Sequence, residues 1–188
     1  LFRSQVSADF ARAVEMVLGC TGMIVLTSAL VQVFTLFQFR QLLGANKMQT
    51  EIDRLKDHAV ICGMGRIGLQ LAKALTEARH PFVIIERNPD LADEARTAGW
   101  LVLVGEATQE ETLRAAGIMH ARVLASVLPD DAANVFITLS ARSLNPAVQI
   151  IARGEAPTTE RKLFHAGADK VVLPTHIGAE RITEPATG

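Results

Sequence analysis

HAVICGMGRIG, His58 to Gly68, decides how this chain is read. Its first half, HAVIC (His58 to Cys62), is a short apolar run of strand length. Gly63-Met64-Gly65-Arg66-Ile67-Gly68 then gives GxGxxG, and an amphipathic helix pattern continues to Arg79. GxGxxG alone is a weak signal. Placed between a strand and a helix it has a mechanism: Gly63 permits a tight turn, Gly65 lets the backbone approach a pyrophosphate, and Gly68 lets helix and strand pack closely. The phosphates would sit on the free N–H groups at the helix N-terminus. The competing reading is a structural strand-to-helix turn that holds nothing.

Downstream, the pattern repeats. Strand-like runs are predicted at Phe82 to Glu86, Leu101 to Val104, Arg122 to Val127, Val148 to Ala152 and Lys170 to Leu173. Helical stretches are predicted at Pro89 to Ala98, Gln109 to Ala116, Asp131 to Ser143 and Thr158 to Ala166. Near-continuous apolar strands, each followed by a helix, mean a parallel sheet covered on both faces. Right-handed crossovers make it an α/β, Rossmann-like doubly wound domain over 58–188.

Loops at the strand C-termini line the ligand crevice of such a sheet. Glu86 ends the second strand 18 residues after Gly68, near the usual place for an acid that accepts from ribose hydroxyls. Arg87, next to it, softens the repulsion of a 2′-phosphate. Glu106, Ala107 and Thr108 follow the third strand. Arg153, just past the fifth, could meet a phosphate. An ordinary solvated strand end is the competing reading for each. These residues accommodate NAD, NADH, ATP, ADP and AMP alike.

Upstream, Met16 to Phe39 carries no formal charge. As a helix it would extend roughly 36 Å, enough for a hydrocarbon core of about 30 Å. The reading is one transmembrane α-helix within segment 1–39, ahead of a polar linker, 40–57. Arg40, Lys47, Arg54 and Lys56 follow closely, so the positive-inside bias places the C-terminal side in the cytoplasm. Thr21, Ser28, Gln32 and Thr35 fall within about 60° on that helix. Such a stripe suits either a water-filled pore or interhelical hydrogen bonds. Gly44 and Asn46 interrupt the linker.

A formal net charge of -1 argues against a nucleic-acid partner. Two cysteines, Cys20 and Cys62, have no metal-type spacing. The absence of tyrosine excludes a Tyr-Lys dehydrogenase, and five scattered histidines form no evident constellation. No catalytic residue and no metal site is expected.

The order of apolar helix, charged connector and RLKDHAVICGMGRIG resembles bacterial potassium channels with RCK (regulator of potassium conductance), or KTN, domains. IIERNP, GEAT, ARVLASV, IIAR and AGADKVVLP resemble that family's successive strand ends, and SADFAR the stretch before its inner pore helix. The resemblance implies a non-enzymatic, ligand-gated potassium channel in a bacterial inner membrane, with a cytosolic gating domain and K+ as the transported ion. It further implies a homotetrameric pore, a ring of up to eight domains, lipid as surroundings and no protein substrate. The chain begins at Leu1 and lacks the selectivity filter and the family's C-terminal lobe, so a fragment is expected. Val127 and Arg153 stand where calcium-gated members place acids, which argues against calcium as the gating ligand. The alternatives are a regulatory subunit of a potassium uptake system and an NAD-dependent oxidoreductase.

Overall fold

The six apolar runs form six parallel strands. The computed structural model describes Met23, residues 27–35 and residues 48–174. The strands are β1 (Ala59–Cys62), β2 (Phe82–Glu86), β3 (Leu101–Val104), β4 (Val123–Ser126), β5 (Gln149–Arg153) and β6 (Lys170–Val172). Between them lie α1 (Arg66–Glu77), α2 (Pro89–Thr97), α3 (Glu110–Ala115), α4 (Asp131–Leu144) and α5 (Pro157–His165). These bounds differ from the sequence reading by at most two residues. A 3-10 turn at Ile118–His120, not foreseen, leads into β4.

The strand order is β3-β2-β1-β4-β5-β6. β1 pairs with β2 on one side and with β4 on the other, Cys62 lying between Ile85 and Ser126. The chain thus runs outward to β3 and returns to β4, and this reversal opens a crevice at the C-terminal ends of β1 and β4. Alternation along the strands feeds two cores. Val60, Cys62, Val83, Ile85, Leu124 and Ile150 pack on one face, with Ile137 and Ala141 of α4 and Leu163 of α5. Ile61, Ile84 and Val102 pack on the other, with Ala72 of α1 and Ala92 and Ala95 of α2. Each fully buried Ile or Leu contributes about 1.5–3 kcal/mol by leaving water.

Side chains also fix the helix positions. Asn88 caps α2 through Asp90 N–H, and Asp130 caps α4 through Ala132 and Ala133 N–H. Asp169 accepts from Ile150 N–H at 2.6 Å and from Arg142 at 2.7 Å, tying β6 to β5 and α4. The Ile150 N–H, assisted by the Arg142 guanidinium, holds the Asp169 carboxyl below its ordinary range. A folded-state pKa below the unfolded one stabilises the fold above the ordinary carboxylate range, and that stabilisation is lost as pH falls through the folded value. Asp169→Asn is therefore expected to lower Tm at pH 7 and to lower it less at acid pH, as the carboxyl becomes protonated in the folded chain. Equal losses at both pH values in calorimetry would remove the carboxylate from the explanation.

The chain divides into two units, Leu1–Lys47 and Met48–Gly188. In the first, residues 27–35 are helical, and Leu30, Val31, Val33 and Phe34 are exposed. Thr35 donates to the Val31 carbonyl, the local bond that a threonine inside a helix commonly makes. Among the described residues no helix is long and apolar enough to cross a membrane. The span expected over Met16 to Phe39 lies mostly outside the described residues, as do Thr21, Gly44 and Asn46. In the second unit, residues 48–52, read above as part of the linker, form a helical turn that packs on the domain. Ile52 is buried in the core with Leu113 and Ile118. Gln49 Nε2 donates to Ala115 O at 2.9 Å, and the Sδ of Met48 accepts from Val102 N–H at 3.4 Å on the free edge of β3.

Candidate functional site

The three glycines of GxGxxG carry three different constraints. Gly63 has φ +97°, a left-handed value, and its N–H donates to Ile85 O at 2.8 Å. A Cβ on Gly68 would stand 2.0 Å from the Gly63 carbonyl oxygen, so loop and helix are in direct backbone contact. Gly65 is different. Its φ of -67° suits any residue, and a Cβ there would meet nothing within 4 Å. Within the described chain nothing requires glycine at Gly65, and the space before it is open.

Gly65 is also the N-cap of α1. No side chain caps this helix, whereas Asn88 and Asp130 cap α2 and α4. The first N–H groups of α1 therefore have no side-chain acceptor, an arrangement that favours an incoming anion. Arg66, at the first helical position, is exposed, and Ile67 is half-buried.

Glu86 is buried and holds the loop in place. Its Oε2 accepts from Met64 N–H at 2.7 Å and its Oε1 from Asn88 N–H at 2.8 Å. Each oxygen keeps a further lone pair that can accept from another donor. Glu86 is thus first a clasp between the end of β2 and the glycine loop, a role that spacing alone did not reveal. Glu86→Ala is expected to destabilise the chain without ligand by about 1.5–3 kcal/mol, the worth of charged hydrogen bonds. An unchanged urea midpoint would assign Glu86 to ligand contact alone.

On the neighbouring strand, Gly105 N–H donates to Glu86 O at 3.0 Å and brings the third-strand loop alongside. Glu106 faces Arg87 at 3.9 Å, Ala107 is buried and Thr108 is half-buried. The Arg87–Glu106 pair is exposed and worth little as a structural tie, so both groups can turn to a ligand. Glu86 therefore touches the glycine loop, and Arg87 and Glu106 face each other at the adjoining strand ends.

Arg153 is placed differently. Its side chain pairs with Glu155 and lines a cavity beside Ile67, Val127 and Ile151, on the α1 side of the sheet. Its Nε is buried without a hydrogen-bond partner. Period-two alternation along β5 accounts for this, because Gln149, Ile151 and Arg153 share one strand face.

Asn134 is the residue that the sequence reading missed. Fully buried on α4, it accepts from Ser126 Oγ at 2.7 Å and from Leu128 N–H at 3.2 Å. Its amide donates to Leu128 O and to Arg153 O, each at 2.9 Å. It so ties the ends of β4 and β5 together and seats Leu128 over the position where Gly63 has no side chain: a Cβ on Gly63 would lie 2.7 Å from Leu128 Cδ2. Its signal lay in the pattern. Asn134 falls in register with Ile137, Thr138 and Ala141, all buried.

Burial pushes the Cys62 thiol up to about 12, so it stays protonated at neutral pH. Among the described residues no group of three His, Cys, Asp or Glu could hold a metal ion.

Comparison with known proteins agrees with this geometry. The profile of the TrkA-N domain matches residues 59–174. Potassium channel protein 1 of Methanocaldococcus jannaschii is 41% identical over 150 residues, 79% of this chain and 45% of that protein. The chain thus spans less than half the length of this relative. The TrkA-N domain of the inner membrane protein ybaL from Escherichia coli superposes with a TM-score of 0.68 at 30% identity, covering 70% of this chain and 97% of that one. The GsuK channel bound to NAD superposes at 0.62 with 31% identity, covering 66% and 23%. The same protein has been solved bound to ADP, at 0.61 with 31% identity, covering 66% and 33%.

Proposed function

The chain belongs to the TrkA-N domain family, and on that premise we propose that it is the nucleotide-sensing part of a potassium channel. An adenine nucleotide, NAD(H) or one of ATP, ADP and AMP, binds across the Gly63–Gly68 loop. Its phosphates lie before Gly65 at the start of α1, and its ribose reaches Glu86. The observation that carries this is Gly65, a glycine that the fold does not need, facing open space beside an uncapped helix start. Titration calorimetry of the full chain with NAD, NADH, ATP, ADP and AMP tests it. Saturable heat with at least one is expected; none with any, from folded protein, would end this reading.

In the proposed channel the nucleotide biases the orientation of the domain, and the linker carries that bias to an inner pore helix within residues 1–39. A ligand can do this only by preferring one of two states. The protein would sit in an inner membrane with Met48–Gly188 in the cytosol, conduct K+ and act without catalysis. Phe136 and Leu139 on α4 and Phe164 on α5 are exposed in the single chain and support association with further copies, in a ring of up to eight around a tetrameric pore. The docked turn at 48–52 supports transmission, because the linker meets the domain at a fixed place. Gly-Ser pairs inserted after Lys47, in a channel restored with its filter, should leave nucleotide affinity intact and uncouple it from open probability in a planar bilayer. Conductance that still follows nucleotide as strongly would place the force path elsewhere.

A further inference from the structure

α3 is the shortest helix between the strands, with six residues. It extends about 9 Å at 1.5 Å per residue. A helix this short does not hold itself together, so its place is set by what grips it. At its start, Gln109 N–H donates to Glu106 O at 3.1 Å and joins it to the third-strand loop. Gly105 presses on its first turn: a Cβ there would lie 3.1 Å from Thr112 Cγ2 and 3.3 Å from Thr112 Oγ1. The same Gly105 donates its N–H to Glu86 O, at the strand end that clasps the glycine loop. At the other end, the last carbonyls of a helix have no partner within it. Here the segment leading into β1 supplies the donors. Gln49 Nε2 donates to Ala115 O and His58 Nε2 to Ala116 O, each at 2.9 Å. A carbonyl only accepts, so His58 carries a proton on Nε2. Asp57 N–H donates to His120 O at 3.0 Å just beyond. Ile52 shares one core with Leu113 and Ala116, all three buried. Close packing leaves such an element no slack: a shift at one end is felt at the other.

We propose that α3 is a lever between the nucleotide loop and the turn at 48–52, and that Gln49, at the far end of α3, is a positioning residue for nucleotide binding. The proposal takes its ligand from the nucleotide reading above. A ligand that reaches Glu86 steadies the end of β2 and, through Gly105 and Thr112, the first turn of α3. The helix then presents the Ala115 and Ala116 carbonyls where Gln49 and His58 meet them, and the turn stays docked. Linkage makes this mutual: the factor that nucleotide adds to docking is the factor that docking adds to nucleotide affinity.

Hydrogen exchange and calorimetry on the full chain test it. With ADP or NAD at saturation, the amides of Asp53, Leu55 and Asp57 should slow about fivefold more than that of Asp169, near the opposite edge of the sheet. Gln49→Ala keeps a residue that suits a helical turn. It should weaken nucleotide affinity about fivefold and abolish that difference in exchange. Asp169→Asn, destabilising but remote, should leave affinity as it is. Equal slowing at all four amides, or parental affinity in Gln49→Ala, overturns the lever and leaves the nucleotide reading standing. If no nucleotide binds, that reading falls, and the ligand-free chain still decides on the lever. Gly105→Ala drives a methyl against Thr112 and should speed exchange at Asp53, Leu55 and Asp57 about threefold; adding Thr112→Ala removes both atoms the methyl meets and should restore the parental rates. Rates that Gly105→Ala does not move overturn the lever whatever the ligand does.

Discussion

Gly65→Ala is expected to leave the fold nearly untouched and to cut nucleotide affinity roughly thirtyfold, about 2 kcal/mol. The backbone at Gly65 suits alanine, and the added methyl meets no atom of the chain within 4 Å. The cost to stability is that of a poorer N-cap, below about 1 kcal/mol. The methyl would, however, occupy the space through which a pyrophosphate approaches the start of α1. Gly68→Ala is the counterpart. There the methyl stands 2.0 Å from the Gly63 carbonyl oxygen, and the obstruction is backbone that cannot rotate aside. Loop and helix must separate, at a cost of about 3–5 kcal/mol, among the largest that single substitutions produce. Thermal melts and calorimetry on the two variants separate a ligand-facing glycine from a packing glycine. If Gly65→Ala binds nucleotide as the parent does, the open space before it is not where phosphates go.

Asn134→Leu should destabilise the chain by about 3–5 kcal/mol, or about 10 °C in Tm. The side chain is fully buried and makes four hydrogen bonds, to Ser126 Oγ, Leu128 N–H, Leu128 O and Arg153 O. Leucine has similar bulk, so packing is kept while buried polar groups lose their partner, and it is the orphaned groups that carry the cost. Ser126→Ala removes one bond only and should cost about 1 kcal/mol. Because Asn134 seats Leu128 against Gly63, the leucine variant should also weaken nucleotide binding without touching ligand. A loss below 1 kcal/mol in urea unfolding would mean that water replaces the amide.

The alternation of strands and helices was legible because each strand is a short apolar run bounded by turn residues, and each helix carries its own period. The glycine loop was legible as a tight turn because it lies between β1 and α1, where Gly63 takes a left-handed backbone and Gly68 packs directly on it. Glu86 was found by spacing, but its clasp on Met64 and Asn88 needs the two loops in three dimensions. Arg153 was placed at the crevice because it ends a strand. Its direction was available from alternation with Gln149 and Ile151, and leads under α1. The docking of 48–52 escaped notice because Met48, Ile52 and Leu55 are only three apolar residues in a charged stretch, too brief to register as a periodic face.

The Met48 contact with β3 has a bearing on solubility. β3 is the outermost strand at one side of the sheet, and its outward N–H groups would otherwise form a ladder open to any extended chain. Met48 takes the Val102 N–H, and its turn lies along that margin. A soft thioether is a weak acceptor and an oxidisable one. Its sulfoxide is polar and bulkier, and disturbs the apolar packing around it. Mild peroxide would then loosen this guard and expose a sticky margin, so oxidative damage to one methionine converts into self-association of whole domains, a failure that Met48→Leu should resist.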